Sequence, residues 1–137
     1  KDRVVVRAGV VEGYFLGSYS ARKLGMKTTG NAGGTHNLAL KGGKLDFRGM
    51  LRELGTGLLV TDLMGSGANL VTGDWSHGAA GYWVEGGEIR YPVEEITVAG
   101  NLRDIFRGIA AIGGDVVDRG GRSSGSILVE RMTIAGA

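Results

Sequence analysis

The sequence predicts an α+β domain dominated by sheet, and three observations carry that reading. Runs rich in β-branched and aromatic residues occupy most of the chain, while two segments repeat apolar residues at helical spacing. No regular alternation of strand and helix suggests a parallel βαβ sheet. Glycine supplies the punctuation, with 27 of 137 residues, where average usage of about 7% would give roughly ten. Proline appears once. Disordered linkers are usually rich in both, so the excess of glycine alone points to tight turns, bulges and close backbone approaches. The expected sheet is mostly antiparallel or mixed, barrel- or sandwich-like, with two or three short helices, and residues 1–137 read as a single domain.

Taken in order, "RVVVRAGVV" reads as a strand, and "SYSARKLG" as a short helix ended by Gly25. In "LDFRGMLRELG", Phe47, Met50, Leu51 and Leu54 line one helical face, Asp46 is placed to cap its start, Leu45 to staple onto Met50, and Gly55 to end it. "GLLVTDLM" is a strand, and "YWVEGGEIRYPV" a hairpin whose Gly86–Gly87 supplies the positive φ of a type I′ turn. "EEITVAG" continues as strand. In "NLRDIFRGIAAIGG" the apolar spacing of Leu102, Ile105, Phe106, Ile109 and Ile112 predicts one helix from an Asn101 cap to a Gly113 stop. "SILVERMTIAG" is the last strand. "EITVAG" and "RMTIAG" resemble each other, but six residues are too few to make a repeat.

Composition narrows the function classes. No apolar run approaches the ~20 residues a membrane helix needs, so no membrane association is expected. Sixteen basic residues are scattered among fourteen acidic ones, for a net charge of +2, without the basic cluster that nucleic acid requires. There is no cysteine, hence no thiolate ligand. The chain opens "KDRVVV" without methionine or a signal-peptide pattern, and reads as a domain of a longer protein.

Catalytic signatures are weak when weighed by mechanism. "GRSSG" matches the nucleophile elbow, but a strand rather than a helix follows it and no histidine lies beyond His77. "GNAGGTHN" has the composition of a phosphate loop without its lysine or its following helix, and reads as a hairpin or an extended loop facing a peptide. "GDWSHG" places Asp74 three residues from His77. Two ligands do not make a zinc site, even with His36 as a conceivable third, and an Asp at a turn commonly bonds nearby backbone. Trp75, Tyr82 and Trp83 flank that stretch; Trp83 is the core residue, while Trp75 and Tyr82 stay open between core and contact surface.

One ordered series of short motifs goes further. "TTGNAGG", then "GLLVTDLMGSGANLVTGDWSHGAAGYWVEGGEIRYPVEEITVAGNLRDIF", with "SYSARKLG" before and "GSILVERMTIAG" at the end, resembles the C-terminal region of the TldD/PmbA peptidase family, in its PmbA (TldE) branch. The resemblance implies a cytoplasmic two-subunit metalloprotease acting on peptides or unfolded segments, including maturation of a modified microcin peptide and turnover of an antitoxin. It implies that a TldD-like partner carries the zinc on an H-E-x-x-x-H helix and a cysteine. Ser124 stands where that branch has its cysteine, a vestigial position, because a hydroxyl that stays protonated is a poor zinc ligand. No cofactor is expected in this chain. The family pattern varies at the position of His77, which makes Asp74 a turn organiser and "GDWSHG" a shaped loop.

The expected chemistry is a sheet edge receiving an extended peptide, with Gly30, Asn31, Gly33, Gly34, Asp74, Trp75 and Tyr82 as groove residues. No catalytic residue is expected here, and a second copy of the chain is one candidate partner in isolation, beside the TldD-like subunit and a peptide substrate. The rival readings are a non-enzymatic peptide-binding or scaffold module, and a self-sufficient hydrolase using Ser124 or His77.

Overall fold

A computed structural model describes residues 2–65 and 67–136. They form fourteen elements: β1 (Val6–Arg7), β2 (Val10–Val11), α1 (Ser18–Lys23), β3 (Leu38–Ala39), α2 (Phe47–Leu54), β4 (Gly57–Met64), β5 (Asp74–Glu85), β6 (Glu88–Asn101), α3 (Leu102–Arg107), β7 (Ile109–Ile112), β8 (Val117–Arg119), β9 (Arg122–Ser124), β10 (Ile127–Val129) and β11 (Thr133–Ala135). The class is α+β, as the sequence predicts, but the strands fall into four separate sheets and close no barrel among the described residues. No helix among them is long and apolar enough to cross a membrane.

The chain divides into two compact units, Lys1–Leu38 and Ala39–Ala137. In the first, "RVVVRAGVV" is not one strand but the two-residue strands β1 and β2, turned back at Ala8 (φ 49°) and Gly9 (φ 80°). Two consecutive positive φ values reverse the chain there, which β-branched composition alone does not reveal. The centre of this unit is Leu16, buried with Ala21 of α1. The Leu16 N–H donates to the Thr29 hydroxyl oxygen at 2.8 Å, and its carbonyl accepts from the Thr29 N–H at 3.0 Å.

The second unit is built on the antiparallel sheet β11-β6-β5-β4. The β5–β6 hairpin turns at Gly86 (φ 58°) and Gly87 (φ 75°), the expected type I′ geometry. Ala79, Ile96 and Val98 form its buried centre, with Leu58, Trp75, Val93 and Met132 packed against them. Pro92 sits in β6 opposite Tyr82, on a stretch that β11 does not reach. The two look-alike segments prove to be neighbours. β11 runs antiparallel to β6 with Thr133 opposite Ala99, Ile134 opposite Val98 and Ala135 opposite Thr97.

Helix α2 follows its sequence signals: Asp46 accepts from the Gly49 N–H at 2.7 Å, and Gly55 takes φ 66°. Helix α3 starts as expected, with the Asn101 side chain accepting from the Arg103 N–H at 3.1 Å. It stops at Arg107 rather than Gly113. Gly108 takes the C-cap, and "IAAI" becomes β7, paired antiparallel with β10. Sheet pairing overrides the helical spacing of Ile109 and Ile112 here.

Candidate functional site

A cleft of about 580 Å³ lies beside the β8–β9 hairpin in the second unit. One wall is a single face of that hairpin. Val117 pairs with Ser124 and Arg119 with Arg122, so the alternation of strand side chains places all four on one side. Phe47 at the start of α2, with Asp115, Gly125 and Ser126, completes the lining. Gly120 (φ 55°) and Gly121 (φ 84°) close the turn.

Glycine makes the floor possible. Three segments cross with their backbones in contact: Gly43 N–H donates to Ile112 O, Gly113 N–H to Ser126 O and Gly114 N–H to Leu45 O, each at 2.7 Å. A Cβ on Gly42 or Gly125 would collide with the Gly113 carbonyl, and one on Gly113 with the Asp115 carboxylate.

Asp115 is fixed by Ser126, whose N–H donates to Oδ1 at 2.9 Å and whose hydroxyl donates to Oδ2. Burial acts to raise the Asp115 pKa, but the bonds from the Ser126 hydroxyl and from the backbone N–H groups of Ser126 and Asp115 outweigh it. The carboxyl is therefore held below its ordinary value and stays ionised. The Ser124 hydroxyl donates to the Gly125 carbonyl at 2.8 Å. Arg119 and Arg122 stand directly opposite each other across the turn, and neither guanidinium has an ion-pair partner among the described residues.

The other expected residues lie elsewhere. Gly30, Asn31, Gly33 and Gly34 belong to the first unit, in a turn where Gly30 (φ 74°) and Gly34 (φ 94°) need the left-handed region. The Asn31 Oδ1 accepts from Arg3 at 3.0 Å and from the Thr29 hydroxyl at 2.8 Å. Asp74 is the first residue of β5, so "GDWSHG" is mostly strand rather than loop. Its carboxylate accepts from the Thr72 hydroxyl at 2.8 Å, and Gly73 takes φ 83° beside it. Trp75 is half-buried on the face of Ala79 and Val98, its ring 4.6 Å from that of His77. His77 Nε2 accepts from the Gly67 N–H at 3.4 Å. Tyr82 is exposed on β5, between Leu59 and Pro92.

Sequence reasoning thus singled out Ser124 but missed Arg119, Arg122, Asp115 and Ser126 around it. The signal was present: "RGGR" has the same Gly-Gly turn as "EGGE" at 85–88, which was read as a hairpin. Among the described residues no three of His, Cys, Asp and Glu are placed to hold a metal ion. The donor set at Ser124 is hydroxyls, guanidiniums and one carboxylate already bonded to Ser126. It does not fit a transition metal.

Comparison with known proteins places these features in a family. Residues 1–136 match the model of the PmbA/TldA metallopeptidase C-terminal domain. The chain is 54% identical over 134 residues to Metalloprotease PmbA of Escherichia coli O157:H7, covering 98% of this chain and 30% of that protein. It is 50% identical over 140 residues to the Metalloprotease PmbA homolog of Haemophilus influenzae, covering 99% and 30%. Among solved structures, a proposed modulator of DNA gyrase from Thermotoga maritima superposes with a TM-score of 0.86 at 39% identity, covering 96% of this chain and 32% of that one. A second, from Bacteroides thetaiotaomicron, gives a TM-score of 0.89 at 30% identity, covering 98% and 30%. The chain therefore spans about a third of the length of its relatives. It belongs to the PmbA/TldA metallopeptidase family and corresponds to that family's C-terminal domain.

Proposed function

We propose that this chain is the C-terminal domain of the metal-free subunit of a two-subunit TldD/PmbA-type metallopeptidase, working in the cytoplasm beside a zinc-bearing TldD-like partner. The observation that supports this most is Ser124. At the position where the resemblance puts the metal-bearing branch's cysteine, a hydroxyl donates to the Gly125 carbonyl. A neutral hydroxyl engaged as a donor is a poor substitute for a thiolate. Modified microcin peptides and an antitoxin are the substrates this reading carries over from the resemblance.

The chain's own contribution is peptide handling. β4 is an edge strand of the four-stranded sheet, and its second half is exposed, with Leu63 51% and Met64 53% accessible. An edge strand with exposed apolar side chains is a template for strand addition, which gives affinity with little demand on sequence. The same edge also suits the non-enzymatic reading, in which the chain binds peptides without any proteolytic assembly. Co-purification of the full-length protein with a zinc-bearing partner supports the first reading; a peptide-binding protein that never acquires such a partner supports the second.

A further inference from the structure

We propose that the β8–β9 cleft binds the free C-terminal carboxylate of a peptide, with Arg119 and Arg122 as the carboxylate clamp and Phe47 and Val117 flanking the last side chain. The inference rests on the peptide reading above and assigns a site that reading does not need.

Like charges directly opposite on a hairpin destabilise it, and this chain has two such pairs on Gly-Gly turns. The first is Glu85 opposite Glu88, and it is compensated on the spot. Glu85 accepts from the Trp83 indole N–H at 3.0 Å, and Glu88 pairs with Arg90 at 3.2 Å. The second, Arg119 opposite Arg122, has no acidic partner among the described residues. Its side chains instead share the cleft wall. Both side chains project from the same face of the hairpin into the cleft, and guanidiniums present planar donors that fit a bidentate oxyanion.

The rest of the cleft selects among anions. Asp115 also lines the cleft and is held ionised, so the three charged groups sum to about +1. That suits a monoanionic carboxylate better than a phosphate dianion. Phe47 and Val117 are 41% and 54% exposed, giving the cleft apolar sides that a bare inorganic ion would not use. A volume of about 580 Å³ accommodates a terminal residue and its neighbour.

The test is calorimetric titration of the full-length protein with N-acetyl-Gly-Gly-Leu, with its C-terminal amide, and with inorganic phosphate. The acid should bind about tenfold or more tightly than the amide, the equivalent of about 1.4 kcal/mol. The R119Q/R122Q variant should lose that preference while keeping its thermal midpoint, because both side chains are exposed. Should the double variant not fold, R119Q alone should reduce the preference. Equal affinity for acid and amide, no binding of either, a preference that survives in R119Q/R122Q, or tighter binding of phosphate than of the acid would each overturn the assignment. Because the titration needs no cleavage and no partner subunit, a failed peptidase assembly leaves its outcome readable. Conversely, active proteolysis with no acid preference sinks only this site.

Discussion

Ser126 grips Asp115 from two directions, its N–H donating to one carboxylate oxygen at 2.9 Å and its hydroxyl to the other. That pair ties the segment after β7 to the segment before β10 at the edge of the cleft.

Ser126→Ala should therefore destabilise the fold by about 1.5–3 kcal/mol, the usual cost of losing a hydrogen bond to a charged group. Urea unfolding at neutral pH reads this directly. The pH dependence follows from the lowered Asp115 pKa. A depressed carboxyl contributes stability that is fully present above its unfolded value of about 3.9 and is lost as pH falls through the folded value. Wild-type protein should thus lose stability below about pH 4, and Ser126→Ala should lose less over the same range, having less of that contribution to lose.

Gly125→Ala should prevent the three-segment crossing, because its Cβ would meet the Gly113 carbonyl, a backbone atom that cannot rotate away. A loss of about 3 kcal/mol or more is expected, seen as a collapse of the thermal transition. Gly33→Ala is the control. It has open space around it and no positive φ, so its effect should stay within about 0.5 kcal/mol.

Two caps should differ in weight. Asp46→Ala removes one side-chain cap of α2 and should cost about 1 kcal/mol. Asn101→Ala should cost more, about 2 kcal/mol, since Asn101 both caps α3 and donates to the Thr72 carbonyl at 3.1 Å. Chemical denaturation of the two variants side by side gives the ordering.

On the β4 edge, Leu63→Lys should leave stability within about 0.5 kcal/mol while weakening association with an unfolded peptide about tenfold, since a lysine blunts strand addition. Unchanged peptide affinity would remove β4 as the receiving edge.

What the sequence made legible was whatever a local rule decides. α2 is set by Asp46, its apolar face and Gly55, all within eleven residues, and it formed as read. The β5–β6 turn is decided by two glycines alone. Non-local pairing overruled local pattern in α3, where β10 claims "IAAI" as a strand; at Ala8–Gly9 it was a local turn, set by two positive φ values, that broke an apolar run. The likeness of "EITVAG" and "RMTIAG" was visible, but that they pair required the register. The cleft was hidden for the same reason. Asp115 and Ser126 are eleven residues apart, and Phe47 far from both, so only the glycine crossing brings them together.

The most direct test of the central claim is zinc content and peptidase activity of the full-length protein, measured alone and after mixing with a TldD-like subunit. A metal-free subunit should show no stoichiometric zinc and no cleavage alone, with both appearing in the mixture. Stoichiometric zinc and cleavage by this protein alone would contradict that claim, and would return His36, Asp74 and His77 to consideration as ligands.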